Sequence, residues 1–154
     1  MRKTYLFIVA LCCVFFSEAQ TYEYQVITSV ESIIPSGAGR SRLISTNEAR
    51  NYQDFTSERT DGKKTKDKRN KSDRSEIRVK NFEETKLLNF FNIAGIRFQN
   101  IAANDAVITS KINTMSSDGW ELAFVTSAVE SDAGKDDGKG IFITRYIFKK
   151  LKEE

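Results

Sequence analysis

The chain has 154 residues, 24 Lys and Arg against 21 Asp and Glu, a formal net charge of +3 and 40% apolar residues, the size and composition of one ordinary domain with a real core. It has no histidine. The usual general base near neutral pH and the commonest zinc ligand are therefore missing, and with them the Ser-His-Asp and Cys-His designs.

Arg2 and Lys3 precede an apolar run from Leu6 to Phe16, and Ser17-Glu18-Ala19 puts small residues where a signal peptidase reads. This pattern predicts a signal peptide over 1–19, a mature chain 20–154 starting at Gln20, and export to the periplasm or the medium. The run falls short of the roughly 20 apolar residues of a membrane-spanning helix, so no transmembrane segment is expected after leader removal. Cys12 and Cys13, the two cysteines of the chain, leave with the leader; the mature chain then has no disulfide, thiol nucleophile or thiolate ligand. Cys12 follows Leu11 rather than a small residue, which argues against a lipidated cysteine.

From Thr21 to Val30 the chain alternates, with Tyr22, Tyr24, Val26, Thr28 and Val30 on one side. That predicts a first strand whose aromatic-rich face packs on a helix. Pro35-Ser36-Gly37-Ala38-Gly39 ends it. Gly37-Ala38-Gly39-Arg40 lacks both the Walker spacing and a Gly-x-Gly-x-x-Gly, so it reads as a turn rather than a phosphate cradle. Arg40 to Ser45 suits a short strand.

Over about 58–80 apolar residues almost vanish, and such a segment is expected to be a mobile basic insertion. Lys63, Lys64, Lys66, Lys68 and Arg69 are its candidate ligand-binding residues, fitted by charge to anionic envelope components such as lipid headgroups or acidic glycans. No aromatic is interleaved to stack on bases, which argues against specific nucleic-acid binding. Asn70-Lys71-Ser72 is a glycosylation sequon, relevant only in a eukaryotic secretory pathway. Glu76 to Val79 suits a strand opening. Leu87, Phe90, Phe91 and Ala94 fit a helical face over Phe82 to Ile93, the favoured reading, while the same cluster of bulky apolar residues also suits a buried strand; Ile96, Phe98 and Ile101 are expected to add core contacts.

The organising unit runs from Ala103 to Lys150. Ile108, Ile112 and Met115, extended by Ala102 and Ala106, predict a helix over Asn104 to Asp118, with Asn104 as N-cap and Gly119 in the left-handed position past its end. The period then changes to two, placing Trp120, Leu122 and Phe124 on one face of a strand. Glu130 to Gly140 reads as a hairpin loop. Its acids do not follow the calcium-loop pattern, so no metal is expected. Ile141 to Lys149 carries apolar groups on both faces, as a central strand does.

Tyr22-Glu23-Tyr24-Gln25-Val26, the stretch from Ile112 to Leu122 with its Gly-Trp-Glu-Leu, and the closing Tyr146-Ile147-Phe148-Lys149-Lys150 resemble the three blocks of a small bacterial family, domain of unknown function 4177. The resemblance implies a compact strand, helix and strand domain and brings no activity with it. This chain departs from the pattern by a long insertion, roughly Glu31 to Asn104.

These readings combine into a single α+β domain, an antiparallel sheet of about three to five strands with one or two helices on one face. The expected function is that of an exported, non-catalytic binding or structural module, with no catalytic residue and no cofactor. One alternative is envelope attachment through the 58–80 segment. Another is a carboxylate-pair hydrolase, for which Asp118 and Glu121 show no paired acid in the sequence.

Overall fold

The computed structural model describes residues 20–34, 40–57, 72–92, 94–130 and 140–153. The segment 1–19 expected to be a leader, residues 35–39 expected to turn, residues 58–71 with Asn70 and Lys71 of the sequon, and residues 131–139 expected to form a hairpin loop lie outside them.

Two long alternating segments build the middle of the sheet. β1 (Tyr22–Ser32) and β7 (Ile141–Leu151) pair antiparallel from Tyr22 opposite Leu151 to Ser32 opposite Ile141. β2 (Ser41–Ser45) flanks β1, β3 (Glu83–Leu87) flanks β2, and β6 (Glu121–Glu130) flanks β7. The order is β3-β2-β1-β7-β6, antiparallel throughout. β4 (Phe91–Asn92) and β5 (Gly95–Ile96) form a separate small ladder. The α+β architecture expected from the sequence is the observed one, and β7 is central, as its two apolar faces require.

Besides a four-residue turn, α1 (Arg74–Ile77), the described residues hold one main helix, α2 (Phe98–Ser117). Its face meets the sheet at Ile27, Leu43, Leu87 and Phe148, and with Ile108 and Met115 these form the core. α2 begins six residues before the expected N-cap, so Asn104 is interior to the helix and 2% exposed. Ala102 and Ala106 are exposed, and Asn104 takes the stripe position expected of them. The far end is as the sequence suggested. Gly119 has φ +86°, its N–H donates to Ser116 O at 3.0 Å, and the Trp120 N–H donates to Met115 O at 3.0 Å. These are the two bonds of a Schellman stop, and Trp120 is tucked half-buried against the core beside Met115. Gly119→Ala should therefore cost about 1 to 2 kcal/mol in urea unfolding, because a Cβ is strained in that conformation.

The structure corrects four local expectations. The aromatic side of β1 does not meet the helix; Ile27, Ser29 and Glu31 do. The reason is depth. Ser29, Ser41 and Ser45 are all buried on the helix-bearing face, and such short side chains let a helix sit close where Tyr22 and Tyr24 would hold it away. Residues 82–92 take the strand alternative rather than the favoured helix, supplying β3 and β4, because Thr85 and Leu87 register onto Leu43 and Ser41 of β2 and complete its ladder. Glu76 to Ile77 lies in α1 rather than a strand, since the Glu76 carboxylate accepts the Asp73 N–H at 3.2 Å and caps a turn. Ile96 and Phe98 are 51% and 76% exposed rather than in the core, because they precede the part of α2 that crosses the sheet.

Candidate functional site

Two features could carry chemistry, one under the helix and one on the opposite side of the sheet. Under the helix, Glu31 from the end of β1 is 8% exposed and accepts the Asn104 amide at 2.8 Å. The same amide donates to Leu88 O at 2.8 Å, and the Leu88 N–H donates to Asn104 Oδ1 at 2.7 Å. Asn104 thus behaves as a clamp, closing the backbone after β3 onto β1. Beside it the Ser41 hydroxyl accepts the Ser32 N–H at 2.9 Å and donates to Asn89 Oδ1 at 2.7 Å, while Asn100 donates to Asn89 O at 2.8 Å.

Burial holds the Glu31 carboxyl above the usual carboxylate range; the Asn104 hydrogen bond opposes this and the Asp105 charge adds to it. Burial likewise raises the Tyr146 phenol, with Ser29 opposing and the Glu31 and Asp105 charges adding. The fully buried Ser29 hydroxyl makes no hydrogen bond of normal geometry, so its hold on Tyr146 is a loose one. Chemically this is one carboxyl locked by an amide. Asp105, Asp118 and Glu121 are exposed, and Glu121 instead reaches Lys149 at 3.3 Å. Among the described residues no three His, Cys, Asp or Glu side chains converge on a metal site.

On the other side, β1 presents Tyr22, Tyr24, Val26 and Val30, β7 presents Ile143, Ile147 and Lys149, and β6 presents Phe124. Phe124 lies opposite Ile147, and Ile147 opposite Val26, so three strands share one apolar strip. Tyr24 is 63% and Phe124 62% exposed. At its edge the Lys149 ammonium sits 5.2 Å from the Tyr22 ring centre, a cation–π contact. No described element covers this face. An ordinary one-sided antiparallel sheet is apolar inward and polar outward; here the covered face intersperses Ser29, Ser41 and Ser45 among Ile27, Leu43, Leu87 and Phe148, and the open face carries Val, Ile, Phe and Tyr as well.

The described surface also has shallow depressions, of which two lie beside the sheet and the helix. One, of about 430 Å³, lies along Ser45 to Glu48 and Asn81 to Glu83, where Arg50 holds the Glu48 carboxylate below its usual range. The other, of about 390 Å³, lies between α2 and β2–β3 at Leu43, Thr85 and Val107. Neither encloses a buried titratable group.

Lys63, Lys64, Lys66, Lys68 and Arg69, the electrostatic candidates from the sequence, fall outside the described residues. Glu31 and Asn104 were missed. The available signal was parity, since Glu31 shares a strand side with Ile27 and Ser29. Phe124 was assigned to the Trp120 and Leu122 side, but a register irregularity between Leu122 and Phe124 turns it to the open face. No described helix is long and apolar enough to cross a membrane. Compared with family models, curated proteins and solved structures, the chain matches none.

Proposed function

We propose that the chain is an exported, non-catalytic binding module whose contact surface is the open face of the sheet. The observation that carries this reading is the apolar strip on the uncovered face of the sheet, with Tyr24, Val26 and Phe124 exposed side by side and Ile147 half-buried between them. The leader-like Met1 to Ala19 supports export. The three blocks that resemble the domain of unknown function 4177 family fall on β1, on the junction of α2 with β6, and on β7, which are neighbours in space.

The test has two parts. Intact mass and N-terminal sequencing of material from the extracytoplasmic fraction should give Gln20 as the first residue; retention of Met1 would overturn export. Affinity capture from the producing cell's envelope should then be compared between the wild type and a Tyr24→Ser, Val26→Thr, Phe124→Ser variant of unchanged melting temperature. A component retained by the wild type and lost by the variant supports the open face as the contact surface. Equal retention, or none, removes that role.

A further inference from the structure

The two edges of the sheet are built in opposite ways. β3, at one edge, is five residues long and carries Glu83, Glu84 and Lys86, with Glu83 tied to Lys111 at 2.8 Å. A short, charged edge is one that other strands do not join. β6, at the other, is ten residues long, exposed at every position, and carries charge only at its ends, Glu121 and Glu130. No described strand lies on its outer side, so its outward N–H and C=O groups form an unblunted template for a further strand.

The helix-bearing side of the same edge is also incomplete. The last residues of α2 lead into the start of β6, and the far half of the strand is left uncovered there. Val125 is 43%, Val129 56% and Phe142 37% exposed, and Val129 pairs directly with Phe142.

We propose that β6 pairs antiparallel with β6 of a second copy of this chain, joining two sheets into one. This rests on reading the chain as an interaction module, and it uses a different surface from the open face. A second strand pairs with a whole free ladder edge and releases the water bound there, and β6 is complementary to itself. A two-fold axis perpendicular to the sheet keeps both helices on one side and leaves like-facing residues opposite one another. Beyond the irregularity at Leu122/Phe124 the straight part runs from Phe124 to Glu130. The register that uses all of it centres on Ser127. Ser127 then opposes Ser127, Thr126 opposes Ala128, and Val125 of each copy opposes Val129 of the other. The two exposed corners merge into one cluster of Val125, Val129 and Phe142 from both chains. No like charges meet in this register, because Glu130 faces Phe124.

The register makes a narrow test possible. Directly opposed residues of an antiparallel pair have Cα atoms about 4.5 to 5.5 Å apart, within disulfide range. In the full chain with Cys12→Ser and Cys13→Ser, Ser127→Cys should therefore oxidise to a disulfide-linked dimer. Glu130→Cys should not, since its two copies would stand about 20 Å apart along the strands. Sedimentation of the wild type should give a concentration-dependent monomer–dimer equilibrium, shifted to monomer by Val125→Lys with an unchanged melting temperature. Val129→Lys is the second variant should the first fail to fold. A wild-type chain monomeric at every concentration, a dimer indifferent to both lysines, or equal cross-linking by Ser127→Cys and Glu130→Cys would each overturn the proposal. Envelope capture through the open face uses side chains such as Tyr24, Val26 and Phe124 rather than the free backbone edge of β6 and would persist in that case, so the two readings fail separately.

Discussion

Phe148→Ala should lower the free energy of unfolding by about 3 to 5 kcal/mol, the largest effect expected of any single truncation in this chain. Phe148 is 0% exposed and lies on the central strand β7, between Gln25 of β1 and Leu122 of β6. The loss combines the transfer of a large apolar side chain back to water with the cavity it leaves. That cavity cannot collapse easily, because the surrounding backbone is held in ladders on both sides of β7. A typical domain has about 5 to 15 kcal/mol in total, so this variant should unfold at far lower urea. Leu151→Ala, at the same strand's 49% exposed end, is the control and should cost less than about 1 kcal/mol. Equal losses at the two positions would show that the core is not centred under α2.

The second large effect belongs to the clamp. Asn104→Leu keeps the helix and much of the volume but removes three hydrogen bonds at once, leaving the Leu88 N–H, the Leu88 C=O and the Glu31 carboxyl without their partner. At about 1 to 3 kcal/mol for each stranded buried group, and with water able to reach the part-buried Leu88, the expected cost is about 3 to 4 kcal/mol. It should also depend on pH. The folded-state pKa of Glu31 is raised, mainly by burial, so the folded state favours the protonated acid. The stability gained from that preference is fully present below the unfolded carboxylate pKa and is lost as pH rises through the folded value. Asn104 opposes the shift, so removing it should raise the folded pKa of Glu31 further. The penalty of Asn104→Leu should accordingly be larger at pH 7 than at pH 4. In an Asn104→Leu, Glu31→Gln background the extra pH dependence should vanish. A penalty equal at both pH values would mean that Glu31 does not titrate through this contact.

Period alone was enough to read several elements. Alternation gave β1, β2 and β7, the two-faced apolar pattern made β7 central, and the Ile108, Ile112 and Met115 stripe ending at Gly119 located the helix and its stop. These are local properties, in which a side chain's spacing states which face it shares. The start of α2 was not readable in the same way. Asn104 has the chemistry of a cap, and only the arrival of Leu88 and Glu31 from elsewhere in the chain gives its amide three partners inside the helix. Residues 82–93 were ambiguous for a related reason, since a short apolar cluster suits either a helix or a strand until a neighbouring edge is there to pair with.

The sequence by itself determined the class of fold, the residues that alternate together, and the absence of histidine chemistry. Which side of the sheet the helix covers was decided only in three dimensions, because both sides of β1 carry apolar groups and the choice depends on how closely α2 can approach Ser29 of β1 and Ser41 and Ser45 of β2. The same holds for β6. Its alternation reads as a core strand, yet it lies at an edge, exposed along its whole length, because the order of strands is a property of their pairing and not of any one segment.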